Sequence, residues 1–278
     1  MMEDQAVGNI LKIGVLGCGA IGSGVAKAIA NEFSSLAVLS GVYDVLPAKA
    51  LSVCTALGNP NLQQKSFEDL LKNTDLIVEA IASSDTLNLI RRIVQAKKDV
   101  LVMSVGQLLN ADNLFLEAEK IGAHILIPSG AIAGIDAIKA VSRAGIREIT
   151  ITTRKPPRGL AGAPYIIQNK ISLETITKET LIFEGTVDEA IKAFPQNINV
   201  AATVALASNA KDKMRIRLIT SPDFHYNQHD IHVIGDFGQI TTSTENRPCP
   251  DNPKTSYLAV LSAIEALRSF CQKRRIGT

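Results

Sequence analysis

Three of the four histidines of the chain fall within eight residues, and this segment has the clearest capacity for proton chemistry. They are His225, His229 and His232. A histidine with its unperturbed pKa of about 6.5 both accepts and donates protons near neutral pH, which suits one of the three to general acid–base work. No carboxylate or thiol cluster accompanies them at metal-ligand spacing, so we predict no metal site. The local sequence is also compatible with surface histidines on a loop.

Two further segments contain groups that could hold an anion. Lys254 and Thr255 precede the last predicted helix, where an ammonium group and a helix N-terminus would together bind a substrate carboxylate. Thr255 could equally serve only as the cap of that helix. Lys155 and Arg158, on either side of a Pro-Pro pair, are additional anion-binding candidates.

Small residues and amides form two other candidate surfaces. Residues 128–134, PSGAIAG, follow a predicted buried strand and could lie flat against a nicotinamide ring or form a tight hinge between domains. Asn197 and Asn199 precede a predicted helix of small residues. Either could cap that helix, and either could hold a carboxamide, because an amide side chain both donates and accepts hydrogen bonds.

A GxGxxG pattern at residues 17–22 predicts a dinucleotide site, because it directly follows an apolar strand and opens a helix. In this context Gly17 permits the tight turn, Gly19 allows the backbone to approach a pyrophosphate, and Gly22 allows close packing of helix and strand. Ala20 and Ile21 begin the helix whose N-terminus would face the phosphate charge. The alternative is a glycine turn without a nucleotide.

Asp44 ends the next predicted strand and bears on the choice of cofactor. A carboxylate at this point accepts hydrogen bonds from an adenosine ribose and repels a 2′-phosphate. Val45 and Leu46 follow it, and neither could bind that phosphate as an arginine would. The sequence therefore favours NAD, with NADP possible.

Three small residues follow two later strands of the same half. Ala82 and Ser83 come after the strand at 76–80, and Ser104 comes after the strand at 100–103. Ligands bind at the carboxyl ends of strands in open α/β sheets, so these residues could border the cofactor. As simple strand-to-helix caps they would look the same.

The elements that position these groups change in character along the chain. Up to about residue 130, short apolar strands alternate with amphipathic helices, which predicts parallel βαβ units. Beyond about residue 145, strands such as 148–154 and 214–220 alternate apolar and polar residues, which predicts a mixed or antiparallel sheet. We predict an α/β fold with a nucleotide-binding domain at 1–130 and a second domain at 131–254. A final helix at about 255–278 is expected to pack back on the first domain.

Composition excludes several classes of protein. The 278 residues include 29 basic and 27 acidic side chains, a balance that argues against a dedicated nucleic-acid partner. The N-terminal MMEDQAVGN is not a signal peptide, and the apolar stretch at 121–141 contains too many breakers and charges for a membrane span. The four cysteines form no CxxC pair, so reduced thiols and a cytoplasmic location are expected.

Taken together, seven motifs resemble the L-aspartate dehydrogenase family. They are GCGAIG at 17–22, YD at 43–44, PSGAIAG at 128–134, KPP at 155–157, FPQNINVAA at 194–202, NQHDIHV at 227–233 and NPKTS at 252–256. The resemblance spans nearly the whole chain. It implies a Rossmann-type doubly wound parallel sheet plus a second α/β domain that carries a homodimer interface. It also implies NAD(P)-dependent oxidation of L-aspartate to iminosuccinate, for NAD biosynthesis, or to oxaloacetate plus ammonia.

The resemblance also implies roles for individual residues. Ala131 and Asn199 match cofactor-contact positions of the family, and His229 matches its catalytic histidine. His229 would accept an amine proton or activate the water that hydrolyses the imine. Ser129, Lys155, Lys254 and Thr255 are the candidates for binding the substrate carboxylates. His232 occupies a position that is often acidic in the family and receives no role.

Two alternative functions are set beside this one. The first is another two-domain Rossmann oxidoreductase, similar to dihydrodipicolinate reductase or homoserine dehydrogenase. The second is a non-catalytic NAD-binding regulator, which would bind nucleotide without turnover. The Asn-x-His at 227–229 and the group around Lys254 argue against a regulator, which needs neither.

Overall fold

The structure is a computed structural model that describes residues 10–195, 198–249 and 252–277. The chain divides into two compact units. The first contains residues up to 103, 113–126 and 263–275, and the second contains residues 104–112, 127–262 and 276 onward.

The first unit is built on a five-stranded parallel sheet. Its strands, in the order β2-β1-β3-β4-β5, are β1 (Leu11–Leu16), β2 (Ala37–Tyr43), β3 (Leu76–Glu79), β4 (Asp99–Val102) and β5 (Ile125–Leu126). The helices are α1 (Ala20–Glu32), α2 (Pro47–Ala56), α3 (Phe67–Lys72), α4 (Thr86–Gln95) and α5 (Asp112–Ile121). All four residues of β3 are buried, as expected for a central parallel strand.

The second unit is built on a mixed five-stranded sheet in the order β10-β9-β6-β8-β7. Its strands are β6 (Ile146–Lys155), β7 (Thr180–Gly185), β8 (Met214–Thr220), β9 (Asn227–Gly235) and β10 (Gly238–Asn246), and β6 and β8 are the parallel pair. Its helices are α6 (Ile135–Val141), α7 (Pro164–Gln168), α8 (Val187–Ala193) and α9 (Asn199–Ser208). Together the two sheets confirm the predicted α/β fold class.

One apolar cluster joins the inner face of the mixed sheet to its helices. It includes Ile151 of β6, Ile231 of β9 and Ala202 of α9. Phe183, Phe194 and Tyr165 pack in the same cluster with ring centroids 5.4–5.5 Å apart. Helix α8 begins with a capping box between Thr186 and Glu189, which satisfies backbone donors at its first turn. The inner face of the mixed sheet is therefore covered by helices that pack against its apolar residues.

The C-terminal segment corrects one sequence expectation. Residues 252–256 form strand β12, which pairs with β11 (Pro248–Cys249), and helix α10 (Tyr257–Cys271) begins only after it. A helix starting at Thr255 was therefore the wrong prediction, because residues 252–256 pair with β11 as a hairpin instead. Further along, Arg268 pairs with Glu32 at 2.8 Å, so the end of α10 packs within the first unit.

In the histidine segment the structure excludes an alternative that the sequence left open. Strand β9 begins at Asn227, so His229 and His232 lie in a strand and not on a surface loop. They project to opposite faces, because they are three residues apart in extended backbone.

Candidate functional site

The glycine-rich turn of the first unit has the geometry that a dinucleotide requires. Gly17 has a φ of 97°, and a Cβ there would lie 2.5 Å from the carbonyl oxygen of Ala80. A Cβ on Gly22 would overlap the carbonyl oxygen of Gly17. Gly19 differs, because a Cβ there would meet no atom within 4 Å. The fold thus needs glycine at positions 17 and 22, whereas Gly19 faces open space at the N-terminus of α1.

Asp44 follows β2 and is held beside this turn by two backbone amides. Its Oδ2 accepts a hydrogen bond from the Cys18 N–H at 2.8 Å, and its Oδ1 accepts one from the Leu46 N–H at 2.9 Å. The carboxylate is therefore fixed in orientation and retains lone pairs for further donors. The side chains after it, Val45 and Leu46, are exposed and apolar. These residues fit a dinucleotide with a free ribose diol.

The loop between β3 and α4 places Ala82 and Ser83 at the carboxyl end of the parallel sheet. Both are exposed. Ser83 also organises the start of α4, since its Oγ accepts from the Asp85 N–H at 3.2 Å and its carbonyl oxygen accepts from Thr86 Oγ1 at 2.8 Å. Glu79, at the end of β3, is fully buried and accepts from the Ile81 N–H.

In the second unit, Asn199 is tied to the segment that carries Ser104. Its Oδ1 accepts a hydrogen bond from the Gly106 N–H at 3.0 Å. Asn199 is the first residue of α9 and Ile198 is the cap, so the capping alternative for Asn199 was wrong. Its exposed side chain retains the two Nδ2 hydrogens as donors. Asn197, the other candidate, lies outside the described residues.

Strand β10 holds the turn at residues 128–134 by its backbone carbonyls. Thr244 Oγ1 and Asn246 Nδ2 both donate to the carbonyl oxygen of Ala131, at 3.0 and 2.9 Å. Thr242 Oγ1 donates to Ala133, two residues further on. Among the described residues, Asn246 Oδ1 is a buried polar atom without a hydrogen-bond partner. Sequence reasoning missed these three β10 residues, because alternating polar residues are also typical of a solvent-facing strand.

His229 lies at the polar end of the inner face of the mixed sheet. It is 4% exposed, and its Nδ1 lies 3.0 Å from Thr153 Oγ1, directly across on β6. The pKa of His229 is lowered to about 3, chiefly by burial and secondly by the nearby charge of Lys155, while Asp230 opposes the shift. The imidazole is therefore neutral at physiological pH.

Lys155 ends strand β6, two residues after Thr153, and therefore projects to the same face. It is half-buried, and burial lowers its pKa to about 8. Thr220 Oγ1 donates to its backbone carbonyl at 2.7 Å and fixes the end of the strand. The structure thus brings together Lys155 and His229, both predicted, with Thr153, which was not. The cross-strand register that unites them cannot be read from a single strand's sequence.

The remaining predicted residues are more dispersed. Ser129 is half-buried in the turn at 128–134, and Thr255 lies in β12. Asn227 Nδ2 contacts Ser256 Oγ at 3.4 Å, which joins β12 to the start of β9. The backbone of Lys254 lies in β12, but its side chain is outside the described part of the chain. Lys254 and Thr255 lie just before the first residue of α10, and their binding of a substrate carboxylate at this helix N-terminus stays a prediction.

Other charged groups lie away from this face. Arg154 forms an ion pair with Asp230 on the opposite face of the sheet, and Ser243 Oγ donates to Asp230 at 2.6 Å. Arg158 is exposed in the turn after Lys155. Within residues 10–195, 198–249 and 252–277, no group of three or more potential ligands could hold a metal ion. Over the same residues, none of the helices has the length and apolar character needed to cross a membrane.

Comparison with known proteins matches both halves of the chain. The family model "Aspartate dehydrogenase, C-terminal" matches residues 136–270, and "Homoserine dehydrogenase, NAD binding domain" matches residues 17–128. An L-aspartate dehydrogenase of Methanosarcina barkeri is 44% identical over 97% of this chain and 100% of its own length. The enzyme of the same name from Methanosarcina mazei is 42% identical over the same shares.

Solved structures show the same fold at lower sequence identity. The crystal structure of aspartate dehydrogenase from Thermotoga maritima has a TM-score of 0.75 and is 22% identical, covering 96% of this chain and 99% of its own. A scyllo-inositol dehydrogenase from Lactobacillus casei with bound NAD(H) has a TM-score of 0.57 at 16% identity, covering 97% and 91%. At these identities the likeness is one of fold alone.

Proposed function

Because this chain belongs to the L-aspartate dehydrogenase family, we propose that it oxidises L-aspartate with NAD(P). The α-ammonium group gives up one proton to water, and Cα gives up a hydride. The product is iminosuccinate in protonated form, and water converts it to oxaloacetate and ammonium. When bound, the nicotinamide supplies the hydride acceptor at its C4. The homoserine dehydrogenase-like alternative loses support, because the C-terminal half matches aspartate dehydrogenase.

The observation that carries this proposal is the pair of ionisable groups on the inner face of the mixed sheet. Lys155 offers a half-buried cation, and His229 offers a buried neutral imidazole on the adjacent strand. A cation out of bulk water binds a carboxylate more strongly than a fully solvated one, since less screening intervenes. We assign Lys155 to a substrate carboxylate and His229 to direct contact with the substrate. Ser129, Lys254 and Thr255 are further candidates for the second carboxylate.

The cofactor site is assigned to the glycine turn and Asp44, with Ala20, Ile21, Ala82 and Ser83 at its border. Ser104, Ala131 and Asn199 would contact the nicotinamide half. Asp44 supports a preference for NAD, because its oriented carboxylate suits a ribose diol and opposes a 2′-phosphate. A homodimer, a cytoplasmic location and a role in pyridine nucleotide biosynthesis remain predictions from the sequence.

The test is direct turnover. Purified protein with L-aspartate and NAD is expected to produce NADH, followed by absorbance, with a lower kcat/KM when NADP replaces NAD. L-Homoserine and D-aspartate are the control substrates, and neither is expected to react. Nucleotide binding without turnover of L-aspartate would contradict the proposal and favour the regulator.

A further inference from the structure

The contact between Thr153 and His229 decides which ring nitrogen carries the proton. Thr153 Oγ1 lies 3.0 Å from His229 Nδ1, and both residues are 4% exposed. A threonine hydroxyl can donate or accept, and a neutral imidazole has one donor and one acceptor nitrogen. Two arrangements are therefore compatible with the distance. If Nδ1 donates to Thr153, Nε2 is an acceptor, and if Nδ1 accepts from Thr153, Nε2 carries the proton and is a donor.

The fate of the hydroxyl hydrogen separates the two arrangements. If Nδ1–H donated to Thr153, the threonine O–H would be buried and would need another acceptor. Within the described part of the chain, the Thr153 hydroxyl makes one hydrogen bond, and its partner is His229. A buried donor without an acceptor is costly, whereas an unused lone pair on a hydroxyl oxygen costs less. Donation from Thr153 Oγ1 to His229 Nδ1 is therefore the favoured arrangement.

We propose that Thr153 holds neutral His229 with its proton on Nε2, so that His229 donates a hydrogen bond to a carboxylate oxygen of the substrate. This inference rests on the proposed function for the identity of that substrate. With the proton on Nδ1, His229 would instead have a free Nε2 that could take a proton from the substrate amine. In our proposal Thr153 is a positioning residue, and His229 orients the dicarboxylate without changing its own protonation state.

The charges around His229 agree with a neutral donor. Lys155 on β6 faces it and disfavours a second positive charge, and burial acts in the same direction. Asp230, its neighbour on β9, favours the charged ring, but its carboxylate is paired with Arg154 and accepts from Ser243 on the other face. Lys155 and the Nε2–H of His229 would together present two donors to carboxylate oxygens.

The tautomer can be measured without turnover. The full-length protein, labelled with ¹⁵N-histidine, is examined by NMR at neutral pH, and His229→Gln identifies the His229 signals among those of the four histidines. We expect Nε2 to be protonated and Nδ1 to be unprotonated. Thr153→Val should give a mixture of tautomers, and Thr153→Ser should restore the wild-type signals. A protonated Nδ1 in the wild type would overturn the proposal.

Activity tests the role of the donor. In His229→Gln, the amide Nε2 can donate near the position of the imidazole Nε2–H but cannot take a proton. We expect this variant to keep kcat within about tenfold of wild type, whereas His229→Ala should lose roughly 10²–10⁴-fold. Equal losses in the two variants would reject the donor role.

The coupling of the two residues is the final control. Thr153→Val should lower kcat/KM about tenfold in the wild-type background and have no effect in the His229→Gln background, because the tautomer no longer matters there. An equal loss in both backgrounds would show that Thr153 is merely structural, contrary to the proposal. If the wild-type protein fails to oxidise L-aspartate, the proposed function fails, and the NMR result still decides the tautomer.

Discussion

Gly19 and Gly22 allow the cofactor role of the glycine turn to be separated from its structural role. Gly19 has a φ of −75°, which alanine adopts freely, and its added Cβ would meet nothing within 4 Å. Gly19→Ala should therefore fold normally. The new methyl group would occupy the open space into which a pyrophosphate must come to reach the backbone, so the variant should bind NADH more weakly.

The expected magnitudes follow from these two environments. Gly→Ala at a compatible φ stabilises by about 0.4–1 kcal/mol, and alanine is a poorer helix N-cap than glycine by a similar amount. The two effects nearly cancel, so the melting temperature should change by less than about 4 °C. The Kd for NADH should rise about 10–100-fold, which corresponds to roughly 1.4–2.7 kcal/mol of binding free energy.

The assay pairs binding with unfolding. Isothermal titration calorimetry gives the Kd for NADH, and circular dichroism gives the melting temperature of the same preparation. Gly22→Ala is the matched control, because its Cβ would overlap the carbonyl oxygen of Gly17 and overpacking costs about 1–3 kcal/mol or more. That variant should lose both stability and binding. Wild-type affinity for NADH in Gly19→Ala would refute the placement of the pyrophosphate at this turn.

Three further predictions address the second unit. The kcat/KM for L-aspartate should fall as pH rises through about 8, because the ammonium group of Lys155 then loses its charge, and a Lys155→Met variant should lack that limb of the pH profile. Asn246→Leu removes the unpartnered Oδ1 while Thr244 still donates to Ala131, so urea denaturation should show a change in unfolding free energy within about 1 kcal/mol. A loss above about 3 kcal/mol would mean that this amide is essential to the fold. Phe194→Ala should cost about 3–5 kcal/mol in the same assay, because the side chain is fully buried within an aromatic cluster, and a near-neutral result would refute that packing.

The first unit was largely predictable from the sequence, because its signals are local. The apolar run at 76–79 and the helix-forming segment after Gly22 each carry one dominant period, and both elements form as expected. The glycine turn could be read in the same way, since each of its three glycines has a distinct steric reason. Asp44 was recognisable because it stands where an apolar strand ends.

The second site was harder to predict, because it depends on register between distant strands. Thr153 and His229 are 76 residues apart and meet only because β6 and β9 pair in one alignment. The strong shift in the pKa of His229 arises from burial, which the polar residues around it in the sequence conceal. The predicted helix start at Thr255 was wrong for another reason. Threonine is favoured both as a helix cap and within strands, so its residue type does not decide between the two.

The two amide bonds to Asp44 have a consequence for ligands other than the whole cofactor. Because Cys18 and Leu46 already fix the carboxylate, no side-chain rotamer has to be frozen when a diol arrives. A site with such a pre-oriented carboxylate can bind a small fragment with as much binding free energy per atom as a large molecule. Simple vicinal diols and adenosine-like fragments are therefore natural starting points for inhibitors that occupy this half of the nucleotide site alone.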